Sequence, residues 1–436
     1  MKSRMIACLA AIALFLSLPS GMLAQAQSVT QKQTAQSANF TITDLGTLNG
    51  GTFSQPFFMN KYGLISGSSS LADGSQNAVL WLEKLKLDIG TPGLGGPNSI
   101  AFANNRRFQS VGEAEDSIPD PNGEDFCGFG THLTCLPFFW QLGKMTQLPT
   151  LGGNNGVAKA ISDQNEVVGF AENSTPDPNC PAPQVLQFEP VTWEKGVIHQ
   201  LPTAGGDPEG VAYQINDKGQ VVGGSGTCAA FNEDFLYNLV PVHALLWENG
   251  QAIDLGNLGG QTGAAGGNIA YDINNQGQVV GVSDLPGDTT FNAFLWTKSA
   301  GMQDLGTLSG DIASVSISIN DGGSVVGLSL DADFNPRAFL WQNGVMTDLN
   351  TLASNSPLYL LSGCSINSRG EITGLGMTST GDIHTYLATP KQGAATRKSN
   401  SSGVIGPRLL SDEARQSLQQ QLRFSRSAAS FMRLQK

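Results

Sequence analysis

Charge is scarce in this chain: Asp, Glu, Lys and Arg make up only 14 % of 436 residues, whereas glycine alone supplies 53. That balance suits turn-rich, buried sheets and excludes a disordered chain, which carries high charge and little to bury. A long apolar run is missing as well, because the stretch at 6–18 falls short of the ~18–20 residues that a membrane-spanning helix needs. Histidine is rare. His132, His199, His243 and His384 share no spacing, so they form no metal or catalytic set, and no cofactor is expected. A basic footprint is also lacking. Residues 391–436 hold nine Lys or Arg against Asp412 and Glu413, a balance of +7 that leaves −19 on the rest of a chain whose net charge is −12. An acidic body excludes a nucleic-acid partner, whose phosphates demand clustered cations.

What is present is repetition. A unit of roughly 50 residues recurs seven times, a period that points to propellers or solenoids. Its first anchor is an Asn-x-x-Gly turn running into an apolar segment that ends in glycine: INDKGQVVG (215–223), INNQGQVVG (273–281), INDGGSVVG (319–327) and INSRGEITG (366–374). MNKYGLISG (59–67), NNRRFQSVG (104–112) and ISDQNEVVG (161–169) are weaker copies, and unit two is the weakest because Phe108 stands at the turn glycine. The second anchor is an aromatic run closed by Trp81, Trp140, Trp193, Trp247, Trp296 or Trp341, which are all the tryptophans of the chain; the seventh unit has Ala388 there. The third is Asp-Leu-Gly or a relative, at 44, 88, 147, 200, 254, 304 and 348.

Asn and Gly at these turns predict hairpins. Runs such as AFLW and QVVG are apolar at successive positions and therefore predict strands covered on both faces. Sheets of four strands stacked around an axis meet that need. The phase of the repeat decides how the ring ends. No Asp-Leu-Gly strand follows HTYLA (384–388), and the missing strand lies at the other end, in NFTITDLGTL (39–48). The expectation is an all-β, seven-bladed β-propeller at 39–390, closed by its N-terminal strand so that no edge is left open.

Outside the ring, a charged start, a short apolar core and Ala24-Gln25-Ala26 predict a cleaved secretory signal at 1–26, then a linker at 27–38. No transmembrane span is expected after cleavage. Residues 391–410 read as a flexible linker and 411–436 as a basic amphipathic helix, capped by Ser411. Export permits disulfides. Cys364 sits in an apolar strand, which leaves Cys127, Cys135, Cys180 and Cys228 in the variable loops of units two to four. Position favours Cys127 with Cys135 in one loop and Cys180 with Cys228 between neighbouring blades, although sequence cannot fix connectivity.

Those loops, 113–137, 170–190 and 224–242, are acidic and proline-bearing, and they emerge on the face opposite the tight hairpins. They form the preferred ligand surface. Asp331, Asp333 and Asn335 resemble the opening of a calcium loop but lack its glycine and terminal Glu. The Asp of Asp-Leu-Gly and the tryptophans read as blade staples.

HALLW (243–247), NAFLW (292–296) and RAFLW (337–341), alternating with INxxGQVVG and DLGTLGG, resemble the HAF repeats of secreted bacterial proteins over about 39–390. Only His243 keeps the opening histidine among these three. The resemblance implies export and a β-repeat architecture, and it brings no enzyme activity or site residues. The functional expectation is a monomeric, exported binding or interaction module, at the cell surface or outside the cell, with a carbohydrate or envelope protein as partner. One alternative is an extracytoplasmic polysaccharide hydrolase or lyase with carboxylates in the channel. Another is a structural envelope protein.

Overall fold

Seven four-stranded antiparallel sheets make up the computed structural model, which describes residues 40–228, 239–260, 262, 265, 267–353 and 355–391. The expected signal, both linkers and the basic helix at 411–436 fall almost wholly outside the described residues. Blade 1 is typical. It runs through Ser54–Met59, Leu64–Ser70, Gln76–Leu82 and Leu85–Asp88, each strand bonded to the next. Blades 2–6 repeat this order. The first strand of every blade touches that of the next, and blade 7 returns to blade 1, so the first strands form a closed inner ring. Outer strands such as Leu85–Asp88 face solvent, while the second and third are buried along most of their length. A short helix, Leu349–Leu352, follows blade 6.

Blade 7 is completed from the far end of the chain. Its own strands are Tyr359–Ile366, Ile372–Met377 and Ile383–Pro390, and the fourth is Phe40–Asp44, which pairs Phe40 with Pro390 and Asp44 with Tyr386. Phe40 is buried in a cluster with Leu349, Leu360 and Tyr386. The ring is thus a seven-bladed propeller closed by its N-terminal strand.

Each sequence anchor has a physical cause. In the Asn-x-x-Gly turn the Asn side-chain oxygen accepts from the backbone N–H groups two and four residues on, as Asn274 does from Gln276 and Gln278 at 3.0 Å. Its amide nitrogen then reaches the next blade, donating to the carbonyl of Asn320 at 3.0 Å. The glycine that ends the apolar segment answers a different need. Every inner strand carries a β-bulge, at Phe57, Phe102, Lys159, Tyr213, Tyr271, Ile317 and Cys364. Opposite it, at Gly67, Gly112, Gly169, Gly223, Gly281, Gly327 and Gly374, a β-carbon would collide with an inner-strand carbonyl oxygen. Glycine is there for backbone approach, as bulges demand.

The Asp of Asp-Leu-Gly closes its own turn, accepting from Gly46, Gly90, Gly256 and Gly306 at 2.7–2.9 Å. The same carboxylate also holds the residue that opens the Trp strand: Asn77 to Asp88, Asn292 to Asp304, Arg337 to Asp348 and His384 to Asp44. In blade 4, His243 instead meets Asp207 at 2.8 Å. Two of the tryptophans tie neighbouring blades, since Trp193 donates to the carbonyl of Pro149 and Trp247 to that of Pro202.

Candidate functional site

The bulges bring side chains of different blades together inside the ring: Phe57, Phe102, Tyr213, Tyr271 and Ile317 share one apolar cluster, while Cys364 packs in a second with Leu361 and Leu375. Lys159, from blade 3, lies with its ammonium 3.4 Å from the ring centre of Phe102, 5.2 Å from Tyr213 and 6.0 Å from Phe57, so side chains of blades 1 to 4 meet there. Tyr213 and Tyr271 pack edge to face at 5.2 Å, and neither hydroxyl has a hydrogen-bond partner among the described residues. Burial pushes the Lys159 ammonium down to about 7, against the pull of the Glu113 carboxylate. Aromatic faces favour a cation and burial disfavours it. The row is Phe, Phe, Lys, Tyr, Tyr, Ile and Cys. None of these seven bulge residues is a carboxylate; the acid that acts on the row is Glu113, through Lys159.

The opposite character appears on the loop face of blades 2 and 3. After the strand Gln109–Pro119, Asp120 accepts from the N–H groups of Asn122 and Glu124 at 2.8 and 2.9 Å, the same turn chemistry as the inner hairpins. That turn carries Phe126 onto Phe170 and Phe188 of blade 3, at 5.9 and 6.1 Å between ring centres. Cys127 is bonded to Cys135 and closes the loop.

Glu124 crosses to the next blade, where it accepts from the N–H groups of Val185 and Leu186 at 2.6 and 2.9 Å and from the Gln184 amide at 3.2 Å. Gln184 also donates to Glu172 at 2.9 Å. Asn155 donates to Asp120 and Glu172, both at 3.0 Å, and sits 3.4 Å from Glu124. Glu124, Glu172 and Asn155 are fully covered. Burial first, then the nearby Glu124 charge, pushes the Glu172 carboxyl up to about 8, against the lowering pull of the Gln184 and Asn155 donors. These acids are enclosed between the two blades, their oxygens held by backbone and amide donors.

Blades 3 and 4 are joined differently. Cys180, in the loop after Glu166–Pro176, is bonded to Cys228 at the end of Val221–Cys228. Beside the bridge, Glu209 accepts from the Phe188 N–H at 2.7 Å and is pushed up to about 9, mainly by burial and then by the Asp177 and Glu189 charges. Two groups that look like metal sets, Glu113 with Cys127 and Cys135, and Cys180 with Glu209 and Cys228, contain only disulfide sulfurs as thiols. Exposed above this foundation stand Ser117–Pro119, Pro121–Gly123, Ser174–Pro176, Pro178 and Asn179. The blade 4 loop at 229–238 lies outside the described residues.

The calcium-like segment proves to be a turn. Asp331 accepts from the N–H groups of Asp333 and Asn335 and from the Asn335 amide, so both its oxygens already face hydrogens. His132 meets the carbonyl of Gly123, and His199 lies on an exposed outer strand. Buried Cys364 is the free cysteine among the described residues. The row of bulge residues went unseen in sequence because a bulge has no side-chain signature, although its glycine partner repeats in all seven units.

No protein-family model and no curated protein matches the chain. Among solved structures it is similar to the β-propeller domain of the Trilobed protease from Pyrococcus furiosus, with 7 % identity over 80 % of this chain and 95 % of that one and a TM-score of 0.45. It is similar to streptogramin B lyase, with 9 % identity, 81 % and 98 % coverage and a TM-score of 0.43. A puromycin-hydrolysing peptidase from Mycobacterium tuberculosis gives 12 % identity and 0.46, with 82 % of this chain covering 55 % of that one. Likeness at this level carries no function across. No helix of the described residues is long and apolar enough to cross a membrane.

Proposed function

We propose that the chain is an exported binding module that presents the loop face of blades 2–4 to a carbohydrate or an envelope protein, at the cell surface or outside the cell. The observation that carries this reading is how firmly that face is held. A disulfide within blade 2, a second between blades 3 and 4 and the buried Glu124, Glu172, Asn155 and Gln184 network fix loops that the ring itself does not need. Preorganising a surface lowers the cost of binding, and loops on a rigid scaffold are where recognition concentrates. The two disulfides accord with an oxidising compartment. The repeated motifs support placing the chain with HAF-repeat secreted proteins.

A glycan-array screen of the full chain tests the reading, followed by cross-linking at the cell surface. Saturable retention on one glycan class, or capture of one envelope protein, is expected, with loss in an Ile118→Asp, Asn122→Ala variant of the exposed ridge. Retention that ignores those two substitutions would move the site elsewhere. An absence of both glycan and protein partners would leave the structural envelope role.

A further inference from the structure

The hairpin-turn face, opposite those loops, carries an apolar surface that folding does not use. Tyr62 and Phe108 stand on the inner turns of blades 1 and 2, with Leu85 and Leu142 at the outer ones; they are 53 %, 49 %, 73 % and 90 % exposed. Phe108 and Leu142 hold left-handed backbone, with φ of 58° and 51°. Blades 1, 4, 5, 6 and 7 place Gly63, Gly219, Gly277, Gly323 and Gly370 where Phe108 sits; where Leu142 sits, blades 4 and 6 place Asn249 and Asn343 and blades 1 and 3 place the charged Glu83 and Lys195. Such backbone disfavours a bulky side chain, and exposure returns nothing through burial. Strain retained at an exposed apolar tip points to a surface that meets something.

Charge on these turns is mostly positive, six cations against Glu83 and Glu371. Lys61, Lys84, Arg106, Arg107, Lys144 and Arg369 cluster on the turns of blades 7, 1 and 2, in a chain of net charge −12. Arg106 lies 3.6 Å from Asp163 and Arg369 2.5 Å from Glu371, whereas Lys84, Arg107 and Lys144 have no ion-pair partner among the described residues. The inner turns adjoin: Arg369 packs where a side chain on Gly63 would go, and the Asn60 amide donates to the carbonyl of Asn105 at 3.2 Å. Blades 3, 4 and 6 carry Asp163, Asp217 and Asp321 on the same turns.

We infer that this sector of blades 7, 1 and 2 docks on an anionic lipid bilayer. The ring and aliphatic tips enter the headgroup boundary, and the cations meet the lipid phosphates. A soluble polyanion would satisfy the cations but leave Leu85 and Leu142 in water. Docked this way, the molecule holds its loop face away from the membrane, and the inference stands whether or not that face takes a glycan.

Flotation of the full chain with equimolar phosphatidylglycerol and phosphatidylcholine vesicles tests it, beside pure phosphatidylcholine. Binding to the anionic vesicles and release by salt are expected. The Phe108→Gly, Leu142→Asn variant relieves strain, so its melting temperature should hold or rise while vesicle partitioning falls roughly tenfold or more. Lys84→Glu and Arg107→Glu should each weaken it by at least about fivefold. Failure of the unaltered chain to float would overturn the inference. So would flotation unchanged in the Phe108, Leu142 variant, which would assign binding elsewhere, for instance to the basic residues 391–436. Retention on soluble polyphosphate that equals vesicle binding and ignores those two substitutions would overturn it as well.

Discussion

The side-chain amide of Asn367 donates to the carbonyl of Asn60, 307 positions away in sequence, at 3.4 Å. It is the closing link of a belt in which the turn Asn of one blade reaches the turn of the next: Asn60 to Asn105, Asn105 to Ser162, Asn216 to Asn274, Asn274 to Asn320, and Asn320 to Asn367. One step is missing, between blades 3 and 4. Ser162 caps its own turn through its hydroxyl but is too short to carry an amide across to Asn216. The same seam is the one crossed on the opposite face by Cys180–Cys228.

Ser162→Asn should complete the belt. The new amide would reach the Asn216 carbonyl and the Glu166 carboxylate, which occupies the place of Gln220 and Gln278, the partners of Asn216 and Asn274. A gain of about 0.5–1.5 kcal/mol is expected. It would be read as a higher urea midpoint at unchanged slope; a lower midpoint would mean that the seam has no room for the longer side chain.

Closure by the first strand should be worth as much as any core contact. Phe40→Ala is expected to cost ~3–5 kcal/mol, as for other buried aromatic residues. A loss below about 1 kcal/mol would show that the strand Phe40–Asp44 only decorates blade 7. Hydrogen exchange along Ile383–Pro390 should accelerate in the same variant.

The two disulfides should differ in weight. Cys180–Cys228 spans 48 residues and Cys127–Cys135 only 8. Chain entropy assigns roughly 4 kcal/mol to the first and roughly 2.5 to the second. Paired Cys→Ser variants, compared by thermal melting, check the order; the reverse ranking would mean that packing around Phe126 outweighs loop closure.

Stability should decline in mild alkali. Burial holds the Glu209 carboxyl at about 9 against an ordinary 4.5, so across that interval the folded protein keeps a proton that the unfolded chain has lost. The stabilisation from this proton is complete below pH 4.5 and is lost as pH climbs through 9. Glu209→Gln removes the charge for good and keeps a hydrogen for the neighbouring Asp177 carboxylate. The variant should melt higher than the unaltered protein at pH above 8 and show a flatter profile between pH 5 and 9. Parallel profiles would mean that Glu209 is ionised in the folded state.

Much of the architecture was decided by local chemistry. A turn that needs Asn to cap it and Gly to finish it, a segment that needs Gly under a bulge, and an Asp that closes the outer turn each bind residues only a few positions apart. Their period and phase therefore exposed seven blades and a borrowed strand. Other features required the folded ring. Lys159 meets Phe57 and Tyr213 only because blades converge on an axis, and Glu124 reaches Leu186 only because blade 2 leans on blade 3. That Asp331 caps its own turn, taking the N–H groups of Asp333 and Asn335 on one oxygen and the Asn335 amide on the other, was likewise visible only in the folded chain. Periodicity records what each blade does for itself; burial, charge and the sites they create depend on distances between blades, which only tertiary packing sets.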